Sequence, residues 1–246
     1  MRKEILVITC LILTGMILFS CKRLKKSDAE IEREEWINSF TDSIEYYKTE
    51  ISNLEIRLGD ENAVIAGLIN DFEYVSNPRQ VTGYYILKGW QNKLPMKKTG
   101  IYARINDNEE LELIATLSGG NFNQILVSNG REEVESGVVP YDQALNYRHN
   151  NLNTVCFYGT AADSVAEFIG VNEPDKITVS YIEGNKKKQA VLGDEEKNMI
   201  ARTWELYSYN KEGRELQKNI WIYSKKIDAY RRMMESRDSV LQTIKN

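Results

Sequence analysis

The chain predicts an α+β protein in which an antiparallel β-sheet domain is enclosed by N- and C-terminal helices that pair as an antiparallel, coiled-coil-like hairpin. Three observations lead there. Apolar residues recur every three or four positions near both ends, the period falls to two between them, and short turn signals separate the period-two segments.

Near the amino end, Ile37, Phe40, Ile44, Tyr47, Ile51, Leu54 and Leu58 stand alternately three and four residues apart, the a/d seam of paired helices. Gly59-Asp60 predicts a stop and a new cap, with a second helix from Glu61 to about Phe72. The N-terminal helices therefore occupy 37–72. The carboxyl end repeats the pattern with Leu216, Ile220, Tyr223, Ile227, Tyr230 and Met234; Leu241 and Ile244 continue the phase and Arg237 interrupts it. Upstream, "DEEKNMIARTWELYSYNKE" reads as a helix capped by Asp194, with Gly213 as a break, so C-terminal helices fill 194–246. Acids far outnumber bases from Asp28 to Glu61, and bases outnumber acids from Lys211 to Asn246. Opposite charge on two apolar-striped helices favours their meeting. The alternative is that each stripe packs on the β domain.

Residues 73–193 form the β-rich domain. "TGIYARI" sets Ile101, Ala103 and Ile105 against Tyr102 and Arg104, and "ELELIATL" sets Leu111, Leu113, Ala115 and Leu117 against Glu110, Glu112 and Thr116. "GYYILKGW", "FNQILVS", "NTVCFYG", "KITVSYI" and "KQAVL" are also strand-like, and "NDNE", "SGGN", "SNGR" and "EGNK" supply turns. Short turns join antiparallel neighbours, which predicts a single meandering sheet. "ADSVAEFIG" predicts one short helix on that sheet, with Asp163 as its cap.

Composition narrows the function. The formal net charge of -4 gives no electrostatic reason to expect a nucleic-acid partner. The sole histidine, His149, leaves no HExxH or two-histidine metal site, and no Cys-x-x-Cys is present. No phosphate-cradling loop or nucleophile elbow occurs, so neither an enzyme nor a cofactor is expected. Cys156 reads as a small buried hydrophobe. "NDNEELE", Asn106–Glu112, carries oxygen ligands at close spacing but lacks the glycine and distal glutamate of a calcium loop; a turn followed by an exposed strand face explains it better.

At the amino terminus, Arg2 and Lys3 precede an apolar run from Ile5 to Phe19 that ends in Ser20-Cys21. The run is shorter than the roughly 20 residues that cross a bilayer core, and a basic head on a short apolar segment has the form of an export signal. Here "LFSC" resembles the lipobox of bacterial lipoproteins, with Leu18 at the apolar position, Ser20 before the cut and Cys21 as acceptor. The resemblance covers only the first 21 residues. It implies a signal peptide over 1–20, acyl chains on Cys21, and a charged tether over 21–36. Lys22 stands where an aspartate marks inner-membrane retention, which implies an outer-membrane protein facing the periplasm. An uncleaved anchor is the alternative. Acyl chains on one residue give stable anchoring at about 0.8 kcal/mol per buried methylene.

"VPYDQALNYRHNNLN", Val139–Asn153, gathers the candidate ligand-binding residues Tyr141, Asp142, Tyr147, Arg148 and His149. Rings stack and fixed polar groups choose orientation, which suits a glycan or a peptide; a connector that satisfies its own backbone is the competing reading. The expectation is a non-catalytic, lipid-anchored envelope protein whose helical pair holds the sheet domain toward a protein partner, or otherwise a glycan- or peptide-binding lipoprotein using 139–153.

Overall fold

A computed structural model describes residues 28–77 and 82–245, so the leader, the lipobox and Cys21 lie outside the described residues. The protein is α+β, with N- and C-terminal helices and two antiparallel sheets. Its elements are α1 (Asp28–Leu68), β1 (Phe72–Asn77), β2 (Thr82–Leu87), β3 (Gly100–Asn106), β4 (Leu111–Ser118), β5 (Gln124–Ser128), β6 (Glu133–Glu135), β7 (Asn146–His149), β8 (Leu152–Phe157), α2 (Thr160–Val171), β9 (Thr178–Glu183), β10 (Lys186–Val191) and α3 (Asp194–Lys245). The described residues fall into two compact units, 28–53 with 220–245 and 54–219.

In the first unit the two helices run antiparallel through the expected seam. The Phe40 and Tyr230 rings lie 5.2 Å apart, Tyr47 and Tyr223 also 5.2 Å, and Ile227 is buried. The side chains of Leu241 and Ile244 lie outside what is described. Bases of α3 meet rings here: Lys226 Nζ sits 4.8 Å over Tyr47, and Arg237 sits 4.5 Å over Trp36. Arg237 thus joins the seam it was expected to interrupt. Aromatic pairs add about 0.5–1.5 kcal/mol beyond area burial, and an exposed ion pair typically adds below about 1 kcal/mol. Rings and buried aliphatic side chains such as Ile227 therefore outweigh ion pairs in this pairing.

Both terminal helices are longer than expected. Residues 28–36 are already helical rather than tether, and α1 runs through Gly59 and Asp60 without a break. The reason is that Leu54, Leu58, Ile65 and Leu68 keep helical spacing across the glycine, whose cost is only about 1 kcal/mol. Helix α3 likewise passes through Gly213. That glycine is buried, and an added Cβ would sit 3.7 Å from Leu58 Cδ1, so it lies where α1 and α3 cross in the second unit. An ion pair there, Arg57 to Glu212 at 2.8 Å, has the opposite polarity to the expected acid-on-α1 arrangement. Residues 72–77 form a strand rather than a helix end.

The second unit holds two sheets where one was expected. The first has the order β1-β2-β3-β4-β8-β7, the second β10-β9-β5-β6. Strands β1 to β4 meander, the chain then leaves at Gly119 (φ 71), and the β7–β8 hairpin returns beside β4. Hairpin turns specify neighbours but not which sheet a hairpin joins. Ile101, Ala103, Leu113, Ala115, Val155 and Phe157 of the first sheet and Ile125, Val127 and Val179 of the second share one core with α2 and the start of α3. Asp163 is not the cap of α2, which starts at Thr160. Placed in the first turn, it is nearly buried and accepts hydrogen bonds from Lys211 Nζ (2.7 Å) and Tyr207 Oη (3.2 Å), tying α2 to α3.

Gly59→Ala should raise stability by about 0.5–1 kcal/mol in urea melts, because nothing lies within 4 Å of the added Cβ. The double change Ile44→Asp and Ile227→Asp should lower far-ultraviolet helicity and melting temperature; an unchanged melt would refute the seam. The hydrogen bond from Lys211 to Asp163 raises the lysine pKa. Its stabilisation is full below the ordinary lysine range and lost as pH rises through the raised value. The stability gap between wild type and Asp163→Asn should therefore hold at neutral pH and close only in strong alkali.

Candidate ligand-binding face

Alternation divides the first sheet into two unlike faces. Ile101, Ala103 and Ile105 of β3 and Leu111, Leu113, Ala115 and Leu117 of β4 point into the core, toward α2. The residues between them point outward. Register sets Arg104 opposite Glu112, Tyr102 opposite Ile114, Ile114 opposite Cys156, and Tyr147 opposite Thr154; Tyr84 pairs with Asn106. By parity Tyr158 follows Cys156 onto the same face.

The centre of this face is an ion pair. Arg104 Nε donates to Glu112 Oε2, and Asn106 Nδ2 donates to Glu112 Oε1 at 3.0 Å. The Glu112 side chain is 7% exposed and that of Arg104 27%. Burial works against the Arg104 charge, but Glu112 beside it outweighs that and holds the guanidinium's pKa above its ordinary value. The guanidinium also lies 4.3 Å over the Tyr84 ring. One edge of Arg104 is therefore fixed by a carboxylate and one face by a ring. Its two Nη groups donate to no acceptor among the described residues. Arg104 lines a cleft of about 490 Å³ together with Tyr84, Asn106, Asp107, Glu110, Glu112 and Tyr158, among others.

Around the pair, Tyr102, Ile114 and Cys156 are buried, while Tyr147 and Tyr158 remain 39% and 37% exposed. Burial raises the Tyr102 and Tyr158 pKa values, and Tyr158 shares a side-chain hydrogen bond with Cys156. Burial also pushes the Cys156 thiol up to about 12. A larger cleft, about 790 Å³, lies beside Trp90, but its Lys93 is already engaged with Glu195 at 2.6 Å and with the Trp90 ring. The outer face is the better candidate, because a half-buried cation there keeps unused donors.

The structure disperses the five residues expected from 139–153. Tyr141 is 74% exposed in a loop. Asp142 Oδ1 accepts the Ala144 and Leu145 N–H groups (2.6 and 3.1 Å), and these bonds lower its pKa; it is a turn residue. Arg148 points to the opposite side of β7 and spends Nε, Nη1 and Nη2 on Asn150 O, Asn121 Oδ1 and Asn151 Oδ1, stapling the hairpin. His149 is exposed at the hairpin end. By alternation His149 shares the outer side of β7 with Tyr147, but it sits at the hairpin end, and of the five it is Tyr147 that joins the rings of the outer face. Asn106–Glu112 also differs from expectation: its last residue is buried in the Arg104 pair rather than exposed. Tyr84, Arg104, Glu112 and Tyr158 were missed as a site, although the alternation of "TGIYARI" and "ELELIATL" had already put Arg104 and Glu112 on the non-core side. Overlaying the two strands in register would have found the pair.

Among the described residues, no helix is long and apolar enough to cross a membrane, and no group of three or more His, Cys, Asp or Glu is placed to hold a metal ion. Neither a family model, a curated protein nor a solved structure matches the chain.

Arg104→Ala should cost on the order of 2 kcal/mol, because it strands the buried Glu112 carboxylate, and Arg104→Lys should recover much of that loss. Cys156 in the folded protein should resist iodoacetamide at neutral pH and be alkylated only on unfolding, read by peptide mass mapping.

Proposed function

We propose that the chain is a lipid-anchored protein of the bacterial cell envelope, acylated at Cys21 and facing the periplasm from the outer membrane, which captures a ligand without catalysis on the outer face of its six-stranded sheet. The anchor rests on the basic, short apolar leader ending in "LFSC". The binding role rests on one observation: Arg104 is held between Tyr84 and Glu112 with its Nη fork unspent. Pre-positioned donors beside exposed rings lower the ordering cost of binding. A non-catalytic role is supported by two groups of the face: the Glu112 carboxylate is committed to Arg104, and the Cys156 thiol is buried and protonated.

A protein partner on the helical pair is the second reading. It is favoured by Tyr46, Trp221 and Met233, exposed by 59%, 61% and 49% on the first unit.

Two measurements test these readings. In cells fed an alkyne fatty acid, the wild-type chain should carry the label and fractionate with membranes, and Cys21→Ala should lose both properties. A photo-crosslinking residue at Tyr158 should capture an envelope component. Capture at Trp221 with none at Tyr158 would transfer the function to the helices.

A further inference from the structure

Resting on the outer face as the binding surface, we propose that its ligand is a neutral glycan chain, bound with sugar rings against Tyr84 and Tyr158 and with hydroxyls on the Arg104 fork and the Glu110 carboxylate. The charge of the cleft decides the class. Among the described residues that line it, Arg104 is the one cation, against Asp107, Glu110 and Glu112. A carboxylate or phosphate ligand would approach Arg104 through this acidic excess, with the guanidinium already paired. An ammonium ligand would meet Arg104 beside the very acids it needs. A hydroxyl both donates and accepts, and so can use unspent donors and acceptors together.

The supply of both is specific. The Arg104 Nη groups donate; Glu110 is exposed, its Oε2 meeting only a long 3.4 Å contact from Asn106 Nδ2. Asp107 is not available, because Oδ1 accepts from Tyr74 Oη at 2.9 Å and Oδ2 from Gly83 N at 2.5 Å. That leaves donors from one side and acceptors from the other. The exposed Tyr158 provides an apolar face of the kind the C–H side of a pyranose ring needs, and the half-buried Tyr84, with Arg104 over one face of its ring, offers the other face.

A ligand that reached from the Arg104 cleft to Tyr147 would have to be a chain and not a single sugar. Tyr84 on β2 is level with Asn106, whereas Tyr147 on β7 is level, through Thr154 and Thr116, with Gly100. Their backbone positions are therefore four strand spacings apart across the sheet (roughly 19 Å at about 4.8 Å each) and six residues apart along it (about 20 Å), with the buried Tyr102, Ile114 and Cys156 between them. The cleft volume of about 490 Å³ covers only the Arg104 end of that span.

The test uses the full-length acylated chain in lipid nanodiscs and calorimetric titration. Probes are three neutral tetrasaccharides (N-acetylchitotetraose, cellotetraose, maltotetraose), acidic tetragalacturonate, the basic glucosamine tetramer, and an uncharged extended tetrapeptide. At least one neutral tetrasaccharide should bind saturably, and both charged oligomers should bind at least about tenfold more weakly. Arg104→Lys keeps a cation for Glu112 but removes the fork, and Tyr84→Leu keeps apolar bulk but removes the ring; each should weaken binding about tenfold with the melting profile of the folded chain retained. Preferred binding of a charged probe or of the peptide, lost in both variants, would overturn the glycan class and leave the face standing. Binding that both variants leave untouched, or no binding by any neutral tetrasaccharide, would overturn the proposal, while the Tyr158 crosslink judges the face separately.

Discussion

Period-two alternation in two adjacent strands is the constraint on which the second unit depends. Ile101, Ala103 and Ile105 on β3 and Leu111, Leu113, Ala115 and Leu117 on β4 must share a side, because a slip of one residue would turn that apolar set outward and Arg104 and Glu112 inward. The core enforces the register, and the register in turn brings Arg104 and Glu112 face to face. The polar pair is thus aligned by hydrophobic burial on the opposite side of the sheet. It need not supply the stability of the sheet to be well placed.

The pair is nonetheless costly to assemble. A charge removed from water loses several kcal/mol of hydration, and an attraction of similar size must offset it. Glu112 meets this requirement with two donors, Arg104 Nε and Asn106 Nδ2. Arg104 meets it differently, through one carboxylate, one ring face and residual contact with water. The carboxylate is close to satisfied and the guanidinium is not. An asymmetry of this kind is a poor way to stabilise a fold and a good way to hold a donor ready, since unspent N–H groups facing a cleft gain most when something other than water fills it.

How far this was legible in the sequence depends on the range of the interaction concerned. The helical seam was legible residue by residue, from Phe40 and Tyr47 to Tyr223 and Tyr230, because a/d spacing is a local property that burial only confirms. The breaks read at Gly59 and Gly213 failed for the same reason in reverse: a local cost of about 1 kcal/mol was outweighed by apolar contacts on either side of it. Net charge predicted that the helices would meet but not how. Lys226 and Arg237 rest on Tyr47 and Trp36, because Phe40, Tyr47, Tyr223 and Tyr230 fill the seam with rings, and a ring face is what the flanking cations find. The division into two sheets was not legible at all, since a turn such as "SGGN" says that the chain reverses and nothing about the sheet it enters.

The 139–153 segment and the outer face differ in a way that composition cannot express. Both contain tyrosine, arginine, an acid and an amide. In the segment the acid, the arginine and two of the amides have work inside the fold: Asp142 caps a turn, Arg148 holds three oxygens, and Asn146 and Asn153 bond each other while joining the Phe122 and Val139 backbone. On the outer face the same residue types leave capacity over. Arg148 spends all three of its donor nitrogens and Arg104 spends one, although both are arginines on strands beside tyrosines. What separates a structural polar group from a binding one is the number of its hydrogen bonds left unmade once the fold is complete, and that number exists only after distant strands have been brought into register.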